Sequence, residues 1–269
     1  MKDTFSDRPL VTLTTDFGTR DPYVAAMKGV LKTQCPRAEI LDLTHDIAPG
    51  NRIEAALFVA AAMPYFPPWT IHIVVVDPGV GTERLALAAM AGGQVLFAPD
   101  NGVLSLYLHQ FPLDGAWAIQ NRTLMRDEVS PTFHGRDVFA VVAGAVALGA
   151  SLSAVGPRVT QLVTLELPEV RRESTGAVCG EIIQIDRFGN AITNIQRKDL
   201  ETGWSYRADV GGHSGLQFAE TYGHAPKGTP LALWGSSGRL ELAVTEGNAA
   251  RTMALTIGMP VTVYSAGRD

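Results

Sequence analysis

The chain has 269 residues, 46% apolar and 18% charged, with 22 Lys and Arg against 27 Asp and Glu for a formal charge of −5. This composition excludes a disordered chain, and without clustered Lys and Arg to displace counterions it argues against a nucleic-acid partner. A chain of this length buries about 70–75% of its unfolded surface and lies where two cores begin to be favoured over one. A charged fraction below the customary quarter leaves neutral surface for association between subunits.

Cys35 and Cys179 are far apart, with no CxxC and no neighbouring His. Neither a thiol-rich metal site nor a disulfide framework is expected, and a reducing, cytoplasmic location is. The opening residues MKDTFSDRPL are polar and unlike a signal peptide. No apolar run reaches the roughly 18 residues needed to span a bilayer, so no membrane contact is expected.

LVTLT (10–14) predicts a buried strand that runs into Thr15-Asp16-Phe17-Gly18. A helix is expected over about 21–34, with Asp21 as N-cap, Pro22 as its first residue and Pro36 beyond its end. EILDL (39–43) predicts a second strand, ending in Thr44-His45-Asp46. Asn51 then caps a helix whose Ile53, Ala56, Leu57 and Ala60 share one face and which stops before Pro64. IHIVVV (71–76) and QVLFAPD (94–100) predict two more strands, and 136–148 another helix.

Alternating strands and helices over residues 1–165 predict an α/β N-terminal domain with a mainly parallel, helix-covered sheet. Ligands of such sheets bind beyond the carboxyl ends of the strands. The four expected strands each lead into a carboxylate there, Asp16, Asp46, Asp77 and Asp100, although Asp also serves as a plain turn residue. Between about 158 and 175 the helical period is lost and charge rises. Residues 173–269, with short strands punctuated by Gly and Asn, predict a smaller all-β, barrel-like C-terminal domain.

Several motifs carry candidate chemistry. HIVVVDPGVGTER resembles the glycine turn with which methyltransferases approach S-adenosylmethionine, but Glu83 stands where the third glycine would fall, and Pro78 suits a simple turn. His134, in Phe-His-Gly-Arg-Asp before a helix, is either a surface or capping histidine or a functional one. The histidines show no zinc-ligand spacing, so no metal is expected. Neither GxSxG nor GxxxxGK occurs. In Asp186-Arg187-Phe188-Gly189-Asn190 the Gly-Asn pair suits a turn, while Phe188 offers a face for a purine and Asn190 an amide for its edge. Ser236-Ser237-Gly238-Arg239 supplies hydroxyls and a guanidinium suited to a carboxylate, or a solvated Arg239.

TTDFG (14–18), YVAAMKG (23–29), DLTHDIAPGN (42–51), VVDPGVGTER ending at Arg84, APDNGVLS (98–105), FHGRD (133–137), IDRFGNAITNI (185–195) and SSGRLELAV (236–244) span nearly the whole chain. In this order they resemble the S-adenosylmethionine hydroxide adenosyltransferases, or S-adenosylmethionine hydrolases, relatives of the fluorinases and chlorinases. The resemblance implies a catalytic set of Asp77, Arg84 and His134. It implies that Asp16 holds the ribose hydroxyls, that Phe188 and Asn190 hold adenine, and that Asp186 and the Ser236-Ser237 turn face the methionine end. Tyr23, Phe133 and Arg239 complete the implied substrate contacts.

The implied reaction is attack of water or hydroxide on C5′ of S-adenosyl-L-methionine, giving adenosine and L-methionine. The sulfonium leaves as a neutral thioether, so neither metal nor cofactor is required and the demand falls on orienting and deprotonating water. The implied assembly is a homotrimer with sites between subunits. The halogenases carry Tyr at the position of Asp77 and lack a histidine matching His134, and the fluorinase places Ser at that of Gly135, which favours water as the nucleophile. A halogenase, a methyltransferase and a non-catalytic S-adenosylmethionine-binding module are the alternatives.

Overall fold

The computed structural model describes residues 7–268. It divides into two compact units, with the break between Leu165 and Glu166. In the first unit, β1 (Leu10–Thr15), β2 (Glu39–Thr44) and β3 (Ile71–Val75) are joined through α1 (Tyr23–Gln34) and α2 (Arg52–Ala62). Then follow β4 (Ala86–Ala91), β5 (Gln94–Pro99), α3 (Ser105–Gln110), β6 (Leu113–Ala118), a π-helical turn (Gly135–Ala140), α4 (Val141–Ala147) and β7 (Arg158–Val159).

The sheet order is β2-β1-β3-β5-β4-β6-β7. The contacts β1–β2, β1–β3 and β3–β5 are parallel, whereas β4–β5, β4–β6 and β6–β7 are antiparallel. The sheet is therefore mixed, which corrects the expectation of a mainly parallel one. The cause is β4, whose Ala-rich ALAAMA has little β propensity and gives no strand signal, yet which pairs antiparallel with both β5 and β6.

Side chains alternate across β3. Ile71, Ile73 and Val75 join a cluster with Val24, Met27 and Leu31 of α1 and Val142 and Val146 of α4. Val74 joins another with Ala55 and Val59 of α2 and Tyr107 of α3. Two local details differ from expectation. Pro22, not Asp21, caps α1, because its carbonyl accepts the first helical bond from the Ala26 N–H at 2.9 Å. In α2, Asn51 caps as expected by accepting the Glu54 N–H at 3.1 Å, but the buried face is Ala55, Ala56, Val59 and Ala60, rotated from the predicted stripe.

The second unit holds β8 (Arg171–Arg172), β9 (Val178–Ile185), β10 (Ala191–Gln196), β11 (Trp204–Val210), β12 (His213–Phe218), β13 (Pro230–Trp234), β14 (Arg239–Val244), α5 (Ala249–Thr252) and β15 (Pro260–Arg268). Pairing of β9 with both β10 and β15 closes seven of these strands into a barrel around Ile182, Ile195, Leu240, Leu242 and Val261. Among the described residues, no helix is long and apolar enough to cross a membrane.

Candidate active site

The parallel strands β2, β1, β3 and β5 end on one edge of the sheet, so Asp46, Asp16, Asp77 and Asp100 follow in that spatial order. Their surroundings separate them. Asp46 is exposed. Asp100 is held by the Val163 N–H at 2.8 Å, and its burial raises its carboxyl above the usual range. Asp16 accepts the Gly50 N–H at 2.7 Å, across the turn that enters α2. Asp77 alone meets a guanidinium.

The segment 77–84 folds back on itself through successive turns, Val80 N–H to Asp77 O at 3.2 Å and Thr82 N–H to Gly79 O at 3.2 Å. This returns Arg84 to its starting point. Arg84 Nε donates to Asp77 Oδ1 at 3.0 Å and Nη2 to Oδ2, a bidentate pair with side chains only 9% and 4% exposed. Gly81 has a φ of +78° and lies so near Pro131 that a Cβ would stand 2.5 Å from its carbonyl oxygen. Gly81 thus serves close packing against the segment that carries His134.

His134 opens the π-helical turn, and its Nδ1 lies 2.9 Å from Arg84 Nη2. Arg84 also sits over the Phe139 ring, 5.8 Å from its centroid. Burial, then the Arg84 charge, pushes the His134 imidazole below its ordinary value despite Asp77 and Asp137 nearby. Asp137, fully buried, anchors the segment: it accepts the Ser130 N–H at 3.0 Å and the Arg136 guanidinium at 2.6 and 2.8 Å, with Arg126 at 3.3 Å. Burial pulls the other way, but these partners hold its carboxyl below the usual range. Its role was not foreseen, because a sequence does not say which Asp a π-helical turn buries.

Beside His134, Phe133 makes edge-to-face contacts with Tyr23 and Phe17 at 5.3 and 6.0 Å, and Arg136 lies over its ring at 5.0 Å. Tyr23 is half-exposed. Phe133 and Tyr23 therefore form one aromatic surface with Phe17, which sequence reasoning had left out.

In the second unit, the Asp186 carboxylate is engaged by its own turn. It accepts the N–H of Phe188 at 2.9 Å and of Asn190 at 2.8 Å, and the Asn190 side-chain amide at 3.0 Å. Asn190 is buried, while the Phe188 ring is 74% exposed. Ser236 and Ser237 are exposed on the turn between β13 and β14. Arg239 is buried, with its guanidinium donating to the Asn194 carbonyl at 3.3 Å. Glu241 is also buried; it accepts the Tyr222 hydroxyl at 2.6 Å, and burial raises its carboxyl. A carboxylate within the otherwise apolar run LELAV was the one sequence signal for it. A cavity of about 720 Å³ lined by Arg197, Tyr206, Phe218 and Trp234 includes none of the expected site residues. Among the described residues, no group of His, Cys, Asp and Glu is arranged to hold a metal ion.

The model of the SAM hydroxide adenosyltransferase N-terminal domain matches residues 11–156, and that of the C-terminal domain residues 180–262. A Thermus thermophilus protein named (R)-S-adenosyl-L-methionine hydrolase is 38% identical over 94% of this chain and 98% of its own. A Salinispora arenicola protein of the same name is 40% identical over 93% and 95%. An Actinoplanes fluorinase is 28% identical over 96% and 98%. A Thermotoga maritima structure described as an uncharacterized conserved protein superposes with a TM-score of 0.86 at 34% identity, covering 94% of this chain and 99% of that one. With both domain models matched in order over most of its length, this chain belongs to the SAM hydroxide adenosyltransferase family.

Proposed function

We propose that this protein hydrolyses S-adenosyl-L-methionine to adenosine and L-methionine, with water as the nucleophile at C5′. The observation that carries the reading is the Asp77–Arg84–His134 constellation at the carboxyl edge of the sheet, in a family named for transfer of adenosyl to hydroxide. The C5′–O bond forms as the C5′–S bond breaks, the bonding pair stays on sulfur, and one proton must leave the attacking water.

A guanidinium has no acceptor, so the Arg84 contact uses the lone pair of His134 Nδ1 and places the imidazole proton on Nε2. His134 then offers an N–H that fixes the position of the water oxygen. Asp77, with lone pairs left over from its bidentate pair, takes the proton. The oxygen becomes strongly acidic as the C–O bond closes, so a carboxylate within reach can take the proton. Arg84 holds both groups in register. Asp16 holds the ribose hydroxyls, Tyr23 and Phe133 face the substrate, and Phe188, Asn190, Asp186, Arg239 and the Ser236-Ser237 turn supply adenine and methionine contacts. The protein works as a homotrimer without cofactor, which sedimentation tests.

Incubation with S-adenosyl-L-methionine in ¹⁸O-labelled water decides the reaction. Adenosine carrying one ¹⁸O at its 5′ oxygen is the expected product. S-adenosylhomocysteine formed with an acceptor, 5′-halogenated nucleoside formed with added halide, or bound and unchanged substrate would each replace this reading with one of its alternatives.

A further inference from the structure

The turn Thr15-Asp16-Phe17-Gly18 is gripped at both ends by a single residue outside the expected site. His45 lies just beyond β2, is almost fully buried, and places Nδ1 2.8 Å from Thr15 Oγ1. Its main-chain carbonyl accepts the Gly18 N–H at 2.8 Å. Gly18 has a φ of +64°, so the turn closes in a conformation that favours glycine. Within the turn, the Phe17 N–H donates to Thr15 Oγ1 at 3.2 Å. With that oxygen accepting, the Thr15 hydroxyl hydrogen is free to go to His45 Nδ1, leaving the imidazole proton on Nε2.

Nε2 lies 3.1 Å from Asp42 Oδ1, in an off-axis contact, and Lys28 of α1 donates to Asp42 Oδ2 at 2.5 Å. Burial opposes it, but Lys28 and His45 together hold the Asp42 carboxyl below its usual range. The pairing of β1 with β2 shifts between Leu13 and Thr14, where Asp42 pairs with Leu13 and Thr44 with Thr14. That irregularity lies beside the residues that make the grip. A chain of polar contacts therefore runs from α1 through Asp42 and His45 to the residue before Asp16. The turn it fixes carries Phe17, which packs on Phe133, the neighbour of His134.

We propose that His45 is a positioning residue: by holding Thr15 and Gly18 together it sets Asp16 against the ribose and Phe17 against the aromatic surface beside His134. The inference deepens the adenosine-forming reading and rests on its assignment of Asp16. A displacement of about 1 Å in such a group is enough to cost catalysis or binding heavily.

Thr15→Val removes the hydroxyl while keeping the buried volume, and Thr15→Ser restores it. Thr15→Val and His45→Gln are each expected to raise KM for S-adenosyl-L-methionine by about 10-fold, the equivalent of about 1.4 kcal/mol, with kcat changed less than KM and Thr15→Ser close to wild type. On an Asp16→Asn background, Thr15→Val is expected to add little, since both act through one carboxylate. The proposal is overturned if Thr15→Val lowers the melting temperature while leaving KM at the wild-type value, or if its effect multiplies in full with that of Asp16→Asn. Calorimetric binding of S-adenosyl-L-methionine to the same variants gives the comparison even for a wild type that releases no adenosine, so failure of the parent reading is distinguishable from failure of this one.

Discussion

Arg84 Nη2 stands 2.9 Å from Nδ1 of His134 while the same guanidinium clasps Asp77, so one permanently charged group sets the protonation of its neighbour. Burial and the Arg84 charge both hold His134 neutral below its ordinary value of 6.5. The acid limb of kcat/KM is therefore expected below pH 6.5, with the rate flat through neutrality. The sign for stability is the same: the neutral imidazole contributes fully above pH 6.5, and the contribution is lost as pH falls toward the lowered folded value. An NMR titration of the His134 ring, compared with the rate profile, checks both; a ring titrating at or above 6.5 contradicts the Arg84 contact.

Arg84→Lys keeps the charge and removes the fork. An ammonium cannot engage both Asp77 oxygens and His134 Nδ1 in one plane, and a bidentate site does not tolerate this exchange as conservative. Loss of orientation of both groups is expected to lower kcat by about 10²–10⁴-fold, the usual worth of a positioned acid–base pair, with KM for S-adenosyl-L-methionine changing by much less. Steady-state kinetics with adenosine detection measures the split. A KM effect equal to the kcat effect would instead place Arg84 in substrate binding.

Much of this site could be read before the fold was known. Runs such as IHIVVV state their burial, and a strand's end is where a polar residue becomes visible, so Asp16, Asp77 and Asp100 stood out. The fold around them was less legible. β4 is built from alanines and carries no strand signal, so the antiparallel half of the sheet was missed. Arg239 reads in the sequence as a guanidinium suited to a carboxylate or as a solvated one; it is buried and donates to the Asn194 carbonyl, because neighbours distant in sequence decide its surroundings. The Asp186 carboxylate, which the resemblance turns toward the methionine end, accepts three hydrogen bonds from its own turn. His45 and Asp137 act through contacts that no local pattern announces.

Gly189 tests how firmly the Phe188 turn is held. Its φ is +88°, and a Cβ there would overlap the side-chain amide of Asn248. That amide caps α5 by accepting the Arg251 N–H at 2.8 Å, and the Gly189 carbonyl accepts the Ala250 N–H at 2.8 Å. Gly189→Ala therefore combines backbone strain with a clash that frays a cap, a loss on the order of 2–5 kcal/mol. Denaturant unfolding reads the loss. KM for S-adenosyl-L-methionine in the folded fraction is expected to rise as Phe188 and Asn190 shift.

His72 provides a stability signal separate from catalysis. It lies on β3, fully buried, with Nδ1 2.6 Å from Thr12 Oγ1 and the Phe66 ring edge-on at 5.4 Å. Burial lowers its pKa from 6.5 to about 4. Because the folded value lies below the unfolded one, the neutral ring stabilises the fold fully above pH 6.5, and the contribution fades as pH falls from 6.5 toward 4. At about 1.4 kcal/mol for each unit, the loss over that window is about 3 kcal/mol. His72→Leu, which cannot bind a proton, is expected to be less stable than wild type at pH 7, since it leaves the Thr12 hydroxyl unpaired. Its urea midpoint should then fall less steeply between pH 6.5 and 4. Parallel slopes for the two proteins across that window would show that the buried imidazole does not govern the acid sensitivity of the first unit.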